Sequence, residues 1–186
     1  RPFIFNEVID LGGEAISAQE YTHLGRVTEF KYCNHIASAF RRDYPISNLG
    51  SLGESWGMLP SGDALVFVEN HDNQRGHGAG GDRILTFYEP KPYKAAVIYT
   101  LAWPYGHPRI LSSYKWPGGR LGNDGEGPPM NGDESVKPVP DTPVCDDGSD
   151  WTWVCEHRWR QIMNMAEWRN KAGGENWNIQ HWWDNG

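Results

Sequence analysis

Two short stretches of this 186-residue sequence carry groups suited to acid–base chemistry. Residues 3–9 read Phe-Ile-Phe-Asn-Glu-Val-Ile, which sets Glu7 at the end of an apolar run. Residues 67–77 read Phe-Val-Glu-Asn-His-Asp-Asn-Gln-Arg-Gly-His, which sets His71 and Asp72 just beyond another. A carboxyl at the end of an apolar strand is costly to desolvate, and its pKa tends to rise. That suits Glu7 to a general acid, which must hold its proton near neutral pH and pass it to a leaving oxygen. The alternative for Glu7 is a structural ion pair with Arg or Lys. Asp72 adds a second carboxyl on the same rim, and His71 adds a donor. Two carboxyls across a cleft are what glycoside hydrolysis requires. From the residues alone, Glu7 takes the part of acid and Asp72 that of nucleophile.

Residues 76–81, Gly-His-Gly-Ala-Gly-Gly, match the pattern G-x-G-x-x-G. A dinucleotide fold needs those glycines directly at the strand end and an acid about 20 residues on. Here polar residues intervene after the strand, and Leu101 stands where the acid should be. A mobile glycine loop over the cleft is the better reading, with His77 able to reach a ligand.

Four apolar runs could position these groups: residues 3–9, 26–32, 64–68 and 109–114. Helix-capable segments lie between them at residues 35–42 and 92–101, the second opening on Pro92. A third, over residues 156–171, sets Trp159, Ile162, Met163 and Ala166 on one face. Asp150 could cap its approach, and Gly173–Gly174 ends it. This alternation predicts a parallel sheet buried by helices, with the active site at the C-terminal ends of the strands. Four such units are half of an eight-stranded barrel. Residues 117–143, rich in Gly, Pro and Asp, predict a surface excursion between the fourth strand and its helix. Arg1 and the aromatic end Trp182-Trp183-Asp184-Asn185-Gly186 both read as cuts rather than natural termini.

The formal charge of −7 argues against a nucleic-acid backbone or an anionic membrane surface as partner. No window approaches the roughly 20 apolar residues of a membrane span. Ten Trp invite sugar stacking, although each is more often a core or interface aromatic. Cys145 and Cys155 flank a short polar loop and could close a disulfide, leaving Cys33 as a buried free thiol. One disulfide weakly favours an oxidising compartment.

Together these segments resemble the alpha-amylase family of glycoside hydrolases, in its animal branch. Residues 3–16, around Glu7 and Glu14, resemble the family's fifth-strand motif, and residues 67–81 its seventh-strand motif with the glycine loop. Residues 108–116 resemble the eighth strand, residues 145–160 the approach to the last barrel helix, and residues 182–186 the exit toward a C-terminal β-domain. The resemblance implies that residues 1–186 are the C-terminal half of a (β/α)8 catalytic barrel, strands five to eight. It implies retaining endo-hydrolysis of alpha-1,4 bonds in starch, glycogen and malto-oligosaccharides. Glu7 would be the general acid/base, and Asp72 the transition-state stabiliser rather than the nucleophile. His71 would bond sugar hydroxyls, Glu14 would line the aglycone side, and His77 would touch substrate from the loop. The nucleophilic Asp and the calcium ligands would lie upstream, so the segment alone would be inactive and prone to aggregate. The family's activating chloride uses two Arg and an Asn. Asn70 fits the Asn, while Lys115 stands where an Arg is expected, which predicts weak or absent chloride dependence. A secreted digestive enzyme, monomeric when complete, is implied. A catalytically dead sugar-binding relative would usually have lost the acid or the His-Asp pair. An alpha-glucosidase of the same superfamily would release glucose from chain ends rather than maltose and maltotriose.

Overall fold

The computed structural model describes residues 2–121, 125–173 and 177–183. Arg1, Gly174 and Asp184–Gly186, used in the sequence reading, lie outside the described residues. Four short strands form one parallel sheet in chain order: β1 (Phe5–Asn6), β2 (Arg26–Thr28), β3 (Ala64–Val66) and β4 (His107–Pro108). The register pairs Asn6 with Val27, Val27 with Ala64 and Leu65 with His107. All three residues of β3 are buried, as befits a central strand covered on both faces.

Helix α1 (Phe30–Phe40) joins β2 to β3, α2 (Pro90–Ala102) joins β3 to β4, and α3 (Arg160–Ala172) follows β4 after a long irregular stretch. Between β1 and β2 there is only a single 3-10 turn, Ala18–Tyr21, capped reciprocally by Ser17 and Glu20. The apolar run 26–32 stops being a strand at Thr28 because Glu29 caps α1, its carboxylate accepting the Lys31 amide at 3.1 Å. Phe30, Cys33, Ile36 and Ala37 then bury one face of α1 against the sheet. Prolines enter the first turn of α2, where their missing N–H costs nothing.

Three expectations are corrected. The fourth strand is His107–Pro108, ahead of residues 109–114, and the Arg109 amide extends its ladder to the Val66 carbonyl at 2.8 Å. Proline is tolerated at 108 because the ladder to β3 uses the Arg109 amide rather than the nitrogen of residue 108. The last helix begins at Arg160 after a separate 3-10 turn, Glu156–Arg158, with Trp159 at its N-cap and no side-chain cap from Asp150. Its inner face carries Ile162, Met165, Ala166 and Arg169, while Met163 is exposed. Gly173 ends it in a left-handed conformation, φ 101°.

The described part of 117–143 holds no helix or strand, only an isolated Met130–Val136 bridge. Cys145 and Cys155 form a disulfide, and Cys33 is a buried free thiol whose burial pushes its pKa up to about 12. Among the described residues no helix is long and apolar enough to cross a membrane.

Candidate active site

The C-terminal ends of all four strands open into one cleft of about 440 Å³. Glu7 reaches it from β1, Thr28 from β2, Glu69, Asn70 and His71 from β3, and Arg109 with Ser112 from β4. Its floor is apolar, with Phe5, Leu65, Phe67, Ile110 and Leu111. An apolar lining with a few convergent polar groups is the usual make-up of a small-molecule site. None of the ten Trp lines it, so the commoner core or surface role holds for them there.

Asn70 organises the rim. Its side-chain oxygen accepts the amides of Asp72 at 3.1 Å and Asn73 at 2.8 Å, an Asx turn that fixes the backbone carrying His71 and Asp72. Its side-chain nitrogen donates to Glu7 Oε1 at 3.1 Å, across from β3 to β1. One amide thus joins the Glu7 carboxyl to the His71–Asp72 turn. His71 Nε2 lies 3.4 Å from Asp72 Oδ1, with both side chains largely in water. Asp72 adjoins the cleft rather than lining it.

The structure departs from the sequence reading over which carboxyl is desolvated. Within this chain Glu7 is exposed, one residue beyond β1. Two carboxyls beyond strand ends are buried: Glu29, directly after β2 and capping α1, and Glu69 after β3, only 3% exposed and beside the Tyr93 phenol of α2. Desolvation, then the nearby Glu156 carboxylate, hold the pKa of Glu69 well above the usual carboxylate range. Glu156 is itself raised by burial, and accepts the Ser113 amide at 2.7 Å. Glu69 stood in the motif beside Asn70, but an acid next to a polar cluster gives no sign of burial. Only its packing against α2 does.

Glu14 lies in an exposed loop outside the cleft, and His77 is exposed on the glycine loop. Lys115 is not brought to Asn70. Its ammonium pairs with Asp146 at 2.6 Å and it does not line the cleft. The cation that does is Arg109, whose guanidinium also stacks over the Phe5 ring at 4.5 Å. In the sequence Arg109 opens an apolar run, and nothing there marks it as a cleft residue. The ground for expecting chloride independence, a Lys in place of Arg, therefore falls away. Among the described residues no group of three or more His, Cys, Asp or Glu is placed to hold a metal ion.

Comparison with known proteins gives a consistent picture. No family model matches the chain. The alpha-amylase of Oryzias latipes is 55% identical over all of this chain, which covers 37% of that relative. The pancreatic alpha-amylase of Struthio camelus is 51% identical, again over the whole chain and 38% of the relative. The crystal structure of alpha-amylase I from Eisenia fetida superposes with a TM-score of 0.87 at 50% identity, covering 98% of this chain and 36% of that one. A second structure of that enzyme, a Glu-to-Gln mutant with maltohexaose, superposes with a TM-score of 0.86 at 49% identity, covering 97% of this chain and 36% of that one. The chain thus spans little more than a third of the length of these relatives, and its four strands correspond to part of their α/β barrel. From end to end in sequence and in fold, the chain is homologous to part of the animal alpha-amylases.

Proposed function

We propose that this chain supplies the acid side of an alpha-amylase active site, which cleaves alpha-1,4 bonds of starch, glycogen and malto-oligosaccharides with retention of configuration. The observation that carries this reading is the Asn70 bridge, which links the Glu7 carboxyl to the His71–Asp72 turn across one cleft. Glu7 protonates the glycosidic oxygen, then acts as base on the incoming water. Asp72 opposes the positive charge that develops on the sugar ring, and His71 bonds ring hydroxyls. Glu14 on the aglycone side and His77 on the loop contact more distant sugars. The nucleophilic Asp, and any calcium ligands, are contributed from another part of the protein. The protein is secreted and works as a monomer.

The test is the product pattern of the whole enzyme on starch. Maltose and maltotriose, released first as alpha anomers, are expected. Glucose alone from chain ends would favour an alpha-glucosidase, and no cleavage a sugar-binding relative. Asp72→Asn should cost kcat about 10²–10³-fold, the usual loss for a group that stabilises transition-state charge. A change below tenfold would remove Asp72 from that role. Residues 1–186 alone should not hydrolyse starch, since no glycosyl-enzyme intermediate can form without the nucleophile.

A chloride ion, which the family implies, fits Arg109 and Asn70 better than Lys115. The guanidinium and the amide face one cleft, and both are donors. An anion held there would favour the neutral form of a neighbouring carboxyl. Halide is therefore expected to stimulate the whole enzyme, and Arg109→Gln to abolish the stimulation. Equal activity with and without chloride would exclude this site.

A further inference from the structure

We propose that Arg120 is a positioning residue that closes the base of the glycine loop and so fixes where His77 is presented; the role of His77 rests on the substrate reading above. Arg120 comes from the irregular excursion after β4. Its guanidinium donates to three backbone carbonyls: Nε to Gln74 at 3.0 Å, Nη1 to Asp82 at 2.7 Å and Nη2 to Ile84 at 2.9 Å. Gln74 precedes residues 76–81, whereas Asp82 and Ile84 follow them. One rigid planar fork therefore spans both stems, which a Lys ammonium could not do.

Neighbouring contacts converge on the same base. A Cβ on Gly76, where φ is +88°, would lie 2.7 Å from Leu121 Cδ2, so the first stem runs tight against the segment bearing Arg120. Arg41, at the end of α1, donates to the Arg83 carbonyl at 2.6 Å and is itself paired with Glu89. A Cβ on Gly80 would collide with Asn34 Oδ1, which seats the far stem on α1. Ala79 is buried, with its carbonyl accepting from Asn73 Nδ2 at 3.4 Å. Between these anchors His77 and Gly78 are exposed. At Gly78 the loop passes beside Asp72 and Ile9, each within 3.8 Å of its built Cβ. The loop is thus a braced base with an open tip beside the acid-bearing rim, rather than mobile along its length.

The experiment uses the whole enzyme with Arg120→Ala, Arg120→Lys, His77→Ala and the double variant Arg120→Ala/His77→Ala. Amides of residues 76–81 should exchange at least about tenfold faster in Arg120→Ala, since one charge-assisted hydrogen bond is worth that factor or more. His77→Ala should leave their exchange unchanged. For malto-oligosaccharides, Arg120→Ala should raise KM about tenfold with a smaller change in kcat, the pattern of lost substrate binding. It should add little in the His77→Ala background, because it acts through His77. Arg120→Lys should fall between wild type and Arg120→Ala. Unchanged loop exchange in Arg120→Ala overturns the proposal, as do kinetic effects additive with those of His77→Ala. Glu7→Gln serves as the separate check: if it still hydrolyses starch, the substrate reading fails while the exchange data still decide the brace.

Discussion

Glu7→Gln in the whole enzyme is expected to lower kcat on starch by about 10²–10⁴-fold, the usual contribution of a positioned general acid. Gln keeps the shape and the acceptor oxygen, so the 3.1 Å bond from Asn70 survives and the His71–Asp72 turn stays in place. What is lost is the transferable proton. The loss should shrink for a substrate whose leaving group needs no protonation, such as a glycosyl fluoride. KM for malto-oligosaccharides should change little, because the cleft walls are untouched. If kcat stayed within tenfold of wild type on starch, the proton would have to come from elsewhere, and Glu7 would be a structural acid after all.

Arg169→Ala should be the most damaging substitution for stability, at about 3–5 kcal/mol, because several buried carbonyls lose a charge-assisted donor and each unsatisfied group costs about 1–3 kcal/mol. Arg169 is 5% exposed and lies on the inner face of α3. It donates to the carbonyls of Thr100 at 3.3 Å, Leu101 at 3.1 Å, Trp103 at 2.7 Å and Gly106 at 2.9 Å. These are the orphan carbonyls at the end of α2 and along the turn into β4. The negative end of the helix dipole also favours a cation there. The single guanidinium therefore ties α3 to α2 and holds the approach to the strand that presents Arg109 to the cleft. Arg169→Lys should recover only part of the loss, because an ammonium cannot span four acceptors. Chemical denaturation of the whole enzyme reads the effect. A loss below about 1 kcal/mol would mean that water replaces the guanidinium without penalty.

Much of this was legible in the sequence. The apolar runs located each strand to within a few residues, since a buried parallel strand must be apolar on both faces. Polar motifs directly after those runs marked the rim of the cleft. Strand ends were less legible: residues 26–32 look continuous, yet Glu29 turns them into a helix by capping it. The fourth strand lies just ahead of the apolar run 109–114, where Pro108 masks it because strand propensity disfavours proline. Periodicity sets Met163 on the inner face of α3, but it cannot show that a charged Arg169 is buried and an apolar Met163 is not.

The sequence by itself determined which chemical groups stand at the rim: an acid after β1, the Asn-His-Asp turn after β3, and the glycine loop beyond it. Their order along the chain, each after an apolar run, requires no long-range information. Only the tertiary structure decided how those groups are paired and hydrated. It buried Glu69, put Arg109 rather than Lys115 in the cleft that Asn70 lines, and joined the Gln74, Asp82 and Ile84 carbonyls on either side of the glycine loop through Arg120. Desolvation and charge pairing depend on neighbours that are close in space and remote in the chain, and those neighbours exist only once the helices have packed on the sheet.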